Sequence, residues 1–443
     1  MMAPGSHDPW DGAATVGVAT AACWILDQIR PSAAVSVPLA QALGKVLADD
    51  AITFDPSPPF DTSAMDGFAV HRQPGPTSIW RVVGESLAGR AFDGHVRRGE
   101  TVRIMTGARV PPGADAVVPL EAAVEHRGAV ATAAAPTHGS NIRRRGEDHE
   151  AGDVIVEGGT RLNAAHIAVL ASIGHDRLRV VPRPRVGVMS TGDEVAARAS
   201  GSSSIRDANR PGLLALVQAD GAIPVDLGVA GDDPDELRRR VERAVDECDA
   251  VITTGGVSVG DHDHLERVLA DLAASTRGTA RWMRVAVRPA KPLVFATIRA
   301  VPVFGLPGNP TSAFVSYHLF ARPALDHLAG DRFAAAGRSF SAVAATDFPR
   351  GPDGRLHVVP VIAEIVSGRL SIRPLGRPGK HHLAATAVAN AHAYLPDGRT
   401  VPAGTLVDCV WTATPSQVHC PDLESRQHPS PRSQLSCAGR SVC

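Results

Sequence analysis

The sequence lacks the features that mark several classes of protein. Lys and Arg number 45 against 46 Asp and Glu, so the net charge of −1 offers no basic surface for nucleic acid or an anionic membrane. No apolar run is long enough to span a bilayer, and no secretory signal pattern opens the chain. The six cysteines have no paired spacing, which argues against a zinc site and a disulfide framework. We therefore expect a cytoplasmic protein with no nucleic-acid partner and no membrane partner.

Aromatic residues are also scarce, with 5 Trp, 2 Tyr and 11 Phe among 443 residues. The core must then consist of small aliphatic side chains, which suit closely packed α/β layers. A chain of this length exceeds what one hydrophobic core organises, so several domains are expected.

Changes in composition along the chain predict the domains. Short β-type runs broken by Gly and Pro indicate small β domains, and polar ends without periodicity indicate disorder. The predicted divisions are a disordered lead-in at 1–14, a split first domain at 15–54 plus 138–182, an inserted β domain at 55–137, an α/β domain at 183–330, a last β domain at 335–413 and a disordered tail at 414–443. Within the split domain, apolar spacing predicts helices over 15–30, 39–48 and 164–173.

Strands and helices alternate in the α/β domain. Nearly continuous apolar or β-branched runs predict buried strands at RVGVMS (185–190), IPVDLGVA (223–230), DAVITTGG (249–256), RVAVRP (284–289) and VPVFGLP (301–307). Helical patterns separate them at 211–219, 234–248, 264–272 and 311–328, and Asp233 is expected to cap the second helix. This alternation predicts a central three-layer α/β/α domain with a mostly parallel sheet.

Ligands of such sheets bind beyond the carboxyl ends of the strands. Two strand ends carry residues that suit an anion. Thr254, Gly255 and Gly256 allow close approach of backbone N–H groups, and the loop of Pro307, Gly308, Asn309 and Pro310 leads into a helix N-terminus. A plain tight turn is the alternative reading of each loop.

Charged residues follow the same strands. The carboxylates of Asp193, Glu194, Asp232 and Asp263 suit Mg²⁺, which proteins bind through one or two carboxylates together with substrate oxygens. The basic residues Arg284, Arg288 and Lys291 are able to neutralise an oxyanion. From the residues alone, we predict an α/β domain that binds a phosphorylated ligand with Mg²⁺.

The motifs then match a known family. STGDE (190–194), GDDPDEL (231–237), TTGGVSVGDHD (253–263), VRPAKP (287–292) and GLPGNPTSAF (305–314) resemble the molybdopterin-binding domain of molybdopterin molybdenumtransferases, including the C-terminal part of gephyrin. Upstream, PPFDTSAMDGFAV (58–70), VRIMTGARVPPGADAVVP (102–119) and RRRGEDHEAGDVI (143–155) resemble the other signatures of that family. The resemblance runs collinearly over about 15–412.

The resemblance implies an architecture and an activity. The implied architecture is a split first domain, an inserted β domain, the α/β domain and a C-terminal β barrel. The implied assembly is a homodimer whose active site lies between the α/β domain of one subunit and the β domain of the other. The implied activity is insertion of molybdate into adenylylated molybdopterin with release of AMP, dependent on Mg²⁺. Other proteins of molybdenum cofactor biosynthesis are expected as partners.

The resemblance also implies roles for individual residues. Asp66, Thr106 and Asp148 would face the cleft from the other subunit. Catalytic roles would fall on these three and on Glu194, Asp232, Asp263, Arg284, Arg288 and Lys291, with Glu194, Asp232 and Asp263 as metal ligands. The pterin phosphate would be bound by Thr254, Gly255, Gly256 and Ser258 and by the loop of Pro307, Gly308, Asn309 and Pro310.

Three positions depart from the family pattern. Arg288 replaces Lys, Ala290 replaces Gly, and Phe68 replaces Tyr. These changes keep a second hypothesis open, in which the chain is a paralogue that binds molybdopterin as a carrier or scaffold without turnover, or with altered specificity. A third hypothesis, the adenylyltransferase that makes the activated pterin, is disfavoured because such enzymes typically consist of the α/β domain alone.

Overall fold

A computed structural model describes residues 15–73, 78–196, 205–257, 264–375 and 383–412. Its centre is a seven-stranded sheet in the order Thr15–Val16, Ala280–Val285, Pro292–Ile298, Val301–Leu306, Ala250–Thr254, Arg185–Thr191 and Ile223–Ala230. All strands run parallel except Pro292–Ile298, which is antiparallel to both of its neighbours. The prediction of a mostly parallel sheet is confirmed.

Helices cover both faces of this sheet, because alternate strand residues point to opposite sides. Along one strand, Val186 and Val188 pack with the helices Val18–Asp27, Asn209–Ala219 and Pro310–Ser316, which continues as a π segment at Tyr317–Ala321 and the helix Arg322–Leu328. On the other face, Met189 packs with the helices Pro234–Glu247 and Leu265–Ser275. Asp233 caps the first of these two by accepting a hydrogen bond from the Glu236 backbone N–H at 2.7 Å, as the sequence predicted.

The first residues of the described chain belong to this central core. Val16, Ala21 and Ile25 are buried with the central strands, and the Trp24 ring meets that of Phe295 edge-on at 5.6 Å. The sequence analysis assigned residues 15–54 to the split domain. In the structure, the first of these residues, up to Ile29, pack in the core of the central sheet.

The split domain has a small core of its own and carries the β module. That core contains the three-stranded sheet Val35–Pro38, Arg177–Val181 and Val46–Leu47, the pair Ala51–Ile52 with Val154–Val156, and the helix Ala164–Ser172. The chain enters and leaves the β module through the paired strands Thr62–Ser63 and Ile142–Arg143. The module is a six-stranded sheet in the order Ala123–His126, Ala129–Thr132, Ser78–Ser86, Glu100–Ile104, Gly67–Val70 and Ala116–Pro119.

The prediction of a helix over residues 39–48 is wrong. Only Leu39–Gln41 forms a short 3-10 turn, and Val46–Leu47 forms a strand paired with Val181 and Val180. Gly44 lies between them with a φ of 74°, a conformation that glycine adopts without strain and that ends a helix. Sheet pairing therefore overrides the helical spacing of the apolar residues.

The last unit is a closed β barrel. Its five strands follow the order Leu356–Val366, Arg369–Pro374, Ser339–Ala344, Leu406–Trp411 and Ala391–Leu395, and the last pairs back with the first. Short helices at Ala334–Arg338 and Leu383–Val388 accompany it. The predicted multi-domain α/β fold with a C-terminal barrel is confirmed.

A buried polar network joins the barrel to the central domain. Arg322 forms an ion pair with Asp220 at 2.6 Å and donates a hydrogen bond to the Trp411 carbonyl of the barrel at 2.9 Å. Beside it, the rings of His318 and His392 meet edge-on at 5.2 Å. Both histidines are buried, so these two domains share a continuous interior. In the described ranges no helix is long and apolar enough to cross a membrane.

Candidate functional site

Five loops converge on one edge of the central sheet. The parallel strands Arg185–Thr191, Ile223–Ala230, Ala250–Thr254 and Val301–Leu306 all end at that edge. The strand Ala280–Val285 reaches it as well, because two antiparallel pairings restore its direction. The topology thus brings to one edge the glycine loops, the acidic loops and the segment of basic residues named in the sequence analysis.

The two glycine loops touch each other. A Cβ added at Gly308 would lie 3.6 Å from the Gly255 Cα, which is an ordinary contact. A Cβ added at Gly255 would lie 2.5 Å from the Thr191 carbonyl oxygen, and the φ of Gly255 is 101°. Only glycine fits position 255 without strain. Its backbone therefore lies directly against the neighbouring strand end.

A buried amide fixes the distance between these loops. The Asn209 Nδ2 donates to the Thr254 Oγ1 at 2.7 Å and to the Gly308 carbonyl at 2.8 Å. The Thr254 hydroxyl in turn donates to the Pro307 carbonyl at 3.2 Å. Asn309 caps the next helix by accepting from the Ser312 N–H at 3.2 Å. Sequence reasoning missed Asn209, and its only signal was a polar residue just before a predicted helix.

Two acidic loops are linked by reciprocal hydrogen bonds. The Asp232 Oδ2 accepts from the Asp193 N–H at 3.2 Å, and the Asp193 Oδ1 accepts from the Asp232 N–H at 3.1 Å. Glu194 follows directly, and its carboxylate lies over Gly192, where an added Cβ would be 2.6 Å from the Glu194 Oε2. Asp232 and Glu194 are therefore carried on loops that contact each other. Sequence reasoning did not foresee that Asp193 makes this link.

Two of the predicted site residues, Ser258 and Asp263, lie outside the described residues. Among the residues that the structure describes, no group of three or more His, Cys, Asp or Glu side chains is arranged to hold a metal ion. The predicted metal ligands that can be located are therefore Glu194 and Asp232.

The basic residues Arg284, Arg288 and Lys291 lie on one hairpin, called here the basic turn. Arg284 pairs with Pro292 one residue before its strand ends, and the Val285 N–H donates to the Lys291 carbonyl at 2.7 Å. The Arg284 guanidinium stacks over the Trp282 ring at 5.3 Å. Lys291 has no ion-pair partner within the described part of the chain. Its ammonium group is thus available to an anion.

Two of the three departures from the family pattern have visible consequences. Ala290 is buried and has a φ of 79°, a left-handed conformation that costs an L residue roughly 1–2 kcal/mol. Phe68 is buried in the β module, and the Arg103 guanidinium lies 5.2 Å from its ring centre. The turn therefore keeps the backbone shape that suits glycine although alanine occupies it.

The three remaining candidate residues are Asp66 and Thr106 in the β module and Asp148 in the split domain. The Asp66 Oδ1 accepts from both the backbone N–H and the hydroxyl of Thr106, each at 2.7 Å, and these two hydrogen bonds lower the pKa of Asp66. Asp148 pairs with Arg143 and accepts a long 3.5 Å hydrogen bond from the Ser57 hydroxyl. All three are exposed. Within the described ranges no hydrogen bond or ion pair joins them to the five loops.

The fold and these loops define a multidomain protein with a three-layer α/β/α domain and an anion-suited edge. Family models match in three parts: "MoeA N-terminal region (domain I and II)" at residues 16–174, "Probable molybdopterin binding domain" at 187–327, and "MoeA C-terminal region (domain IV)" at 341–411. The chain belongs to the molybdopterin molybdenumtransferase family.

Individual relatives agree over nearly their whole length. The molybdopterin molybdenumtransferase of Haemophilus influenzae is 33% identical over 375 residues, covering 83% of this chain and 91% of the relative. The molybdopterin molybdenumtransferase 2 of Mycobacterium tuberculosis is 34% identical, covering 88% and 98%. A solved molybdopterin biosynthesis MoeA protein from Pyrococcus horikoshii aligns with a TM-score of 0.75 at 26% identity, covering 90% of this chain and all of that one. The chain is therefore a transferase of molybdenum cofactor biosynthesis.

Proposed function

We propose that this protein inserts molybdate into adenylylated molybdopterin and releases AMP. The observation that carries the proposal is the convergence of glycine-opened backbone, paired acidic loops and a basic turn at one sheet edge. A nucleotide-activated pterin presents phosphate groups, and molybdate is an oxyanion. Both need N–H groups and cations placed around them, as these loops provide.

The glycine loops are assigned to the phosphates. Gly255 and Gly308 contact each other, and the Gly255 N–H already donates to the Leu306 carbonyl at 3.1 Å, so the backbone donors to phosphate would be the N–H groups of Gly256 and Gly308. The capped helix Pro310–Ser316 begins at the same place. The assignment rests on the close backbone approach and on the hydrogen bond from Asn209 to Gly308. Thr254 and Gly256, with Ser258 and the loop of Pro307 and Asn309, complete the proposed pterin phosphate site.

The basic turn is assigned to molybdate. Arg284, Arg288 and Lys291 lie on one hairpin at the same sheet edge as the glycine loops. They would therefore bind a dianion next to the proposed pterin site. Lys291 lacks a competing carboxylate within the described chain. The dithiolene sulfurs of the pterin would then meet molybdate between the basic turn and the glycine loops.

The acidic loops fit Mg²⁺ by their donor chemistry. Hard carboxylate oxygens are the usual Mg²⁺ ligands, and the reciprocal bonds between Asp193 and Asp232 bring one such carboxylate to the loop of Glu194. Glu194, Asp232 and Asp263 would hold the ion together with substrate oxygens. Bound there, Mg²⁺ would polarise the phosphoanhydride. With water as nucleophile, its oxygen would bond to the adenylyl phosphorus, the anhydride P–O bond would break, and the molybdopterin phosphate would leave with the bonding electrons, so that AMP and a proton are released. With molybdate as nucleophile, the same bond would break to give adenylyl-molybdate, and water would then hydrolyse that species to AMP and molybdate.

We further propose that the active protein is a homodimer. Asp66, hydrogen-bonded to Thr106, and Asp148 are exposed, and none of the three has a bond to the five loops of its own chain within the described residues. A second subunit would bring its copies of these residues to the cleft. Sedimentation velocity would test the dimer directly, and mixing two inactive variants, one altered at Asp66 and one at Asp232, should restore part of the activity.

The central test compares two adjacent carboxylates. Asp232→Asn removes a proposed metal ligand, whereas Asp233→Asn makes the same charge change at a helix cap that Asn also fills. With adenylylated molybdopterin, molybdate and Mg²⁺, Asp233→Asn should release AMP like the parent, and Asp232→Asn and Asp263→Asn should release none. Equal AMP release by all of these variants would reject the metal-site assignment. Binding of the pterin nucleotide without any AMP release by the parent protein would favour the carrier hypothesis.

A further inference from the structure

The C-terminal barrel reaches the basic turn of the central domain. The short strand Val287–Arg288 of that turn pairs in parallel with Leu356–His357, the first residues of a barrel strand. The Leu356 N–H also donates to the Ala286 carbonyl at 2.9 Å. The barrel is thus joined by its backbone to the segment that carries the proposed molybdate ligands.

Side chains extend this contact into a three-residue chain. The Arg288 Nη1 lies 3.5 Å from the Asp353 Oδ2, and the Asp353 Oδ1 lies 2.9 Å from the His357 Nε2. Arg288 and Lys291 belong to the same turn, yet only Arg288 has a carboxylate as partner within the described chain. The barrel therefore supplies a negative charge to one member of the basic set.

The loop that carries Asp353 is held in place from its own domain. Its backbone N–H donates to the Asp397 Oδ1 at 2.8 Å, and the nearby Arg350 Nη1 donates to the Leu395 carbonyl at 3.0 Å. The hydrogen bond from His357 lowers the pKa of Asp353, so the group is ionised at neutral pH. A fixed, charged carboxylate beside an anion-binding arginine opposes the approach of a dianion.

We propose that Asp353, oriented by His357, is a positioning residue that occupies Arg288 until an oxyanion displaces it, and so sets the affinity of the basic turn for molybdate. The inference rests on the proposed function in one respect, the assignment of molybdate to Arg288. A partly exposed ion pair of this length contributes about 0.2–1 kcal/mol, so its loss should tighten molybdate binding by about 1.4- to fivefold.

Calorimetric titration with sodium molybdate tests the proposal on the full-length protein. Asp353→Asn keeps the shape of the side chain and removes its charge, and it should lower the Kd by that factor. The same change made in an Arg288→Gln background should leave the Kd unchanged, because the arginine on which Asp353 acts is gone. The matched control is Glu364→Gln. Glu364 lies on the same barrel strand as His357, about 23 Å further along, and its change breaks a 3.1 Å ion pair with Arg373.

The outcomes separate this inference from the proposed function. Three results overturn the inference. Asp353→Asn binds molybdate no more tightly than the parent, neither protein binds molybdate detectably, or Asp353→Asn tightens binding equally in the Arg288→Gln background. AMP release measured in parallel tests the function alone. If the parent releases no AMP but the molybdate Kd values of the single and double variants change as stated, the proposed function fails and the inference stands. With turnover present, Asp353→Asn should lower the KM for molybdate at unchanged kcat, a split that a merely structural role would not produce.

Discussion

Lowering the pH from 7 to 5 should weaken the contact between the central domain and the barrel. His318 and His392 lie buried at that contact, and burial lowers the pKa of both, that of His392 to about 4. The Arg322 guanidinium adds repulsion against a protonated ring. The Nδ1 of His392 has no hydrogen-bond partner among the described residues, so nothing in this interior would stabilise its charged form.

The size of the effect follows from proton linkage. An unfolded histidine binds its proton near pH 6.5, whereas folded His392 does so near 4, so the unfolded chain holds more protons between these values. The stability that His392 contributes is present above about pH 6.5 and declines as the pH falls toward 4. Linkage gives a loss of about 2 kcal/mol between pH 7 and pH 5 from this one residue. Burial raises the pKa of the neighbouring Asp326, which acts in the opposite sense.

A variant comparison isolates the histidine's share. Urea unfolding at both pH values, followed by circular dichroism and Trp fluorescence, should show a steeper pH dependence in the parent than in His392→Gln, by about 2 kcal/mol. The matched control is His126→Gln, which alters an exposed histidine far from this contact in the fold, and its stability should fall with pH as that of the parent does. Because Asp326 is present in all three proteins, its contribution cancels. Equal slopes in the parent and His392→Gln would refute the argument, whatever the absolute stabilities.

Other consequences of the site geometry are open to direct measurement. Gly255→Ala should cost roughly 1–3 kcal/mol in urea unfolding because its Cβ meets a neighbouring carbonyl, whereas Gly308→Ala should change stability by less than about 0.5 kcal/mol. Similar losses in both would contradict the steric account. Asn209→Ala should cost about 1–3 kcal/mol, measured in the same way, because it removes the donor to the buried Thr254 hydroxyl and to the Gly308 carbonyl, and a neutral result would show that water replaces the amide. Thr106→Val should raise the pKa of Asp66 in a carbon-13 NMR titration and Thr106→Ser should not, and an unshifted pKa in the valine variant would reject the hydroxyl's role.

The inner strands of the central sheet were largely predictable because they are buried on both faces. The run at residues 301–307 has no charged residue, and the structure places a strand at Val301–Leu306 in which all but the first residue are buried. The strand Pro292–Ile298 was missed, although its residues are as apolar. The strand predicted at RVAVRP (284–289) ends at Val285 in the structure, and the residues after it form the hairpin connection to Pro292–Ile298. Antiparallel pairing across that turn is a tertiary property that the pattern does not contain.

The site was predictable in its loops but not in its cross-links. Glycine and carboxylate residues at strand ends mark the edge where a ligand binds, and these are visible in the sequence. The bonds from Asn209 to Gly308 and from Arg288 to Asp353 span 99 and 65 residues. Each depends on which loops the sheet order makes neighbours. Local patterns do not encode that order, so the partners became visible only with the topology.

The strand Thr15–Val16 has a consequence for dissecting this protein. It pairs in parallel with Ala280–Val285 and closes one side of the central sheet, and the helix after it covers Phe295. A fragment cut to the family-model limits of 187–327 would leave that side's N–H and C=O groups unpaired and uncover an aromatic face. Such an excised domain would be prone to join its exposed strand to another molecule. Expression of the central domain alone should therefore retain residues 15–29 through a linker.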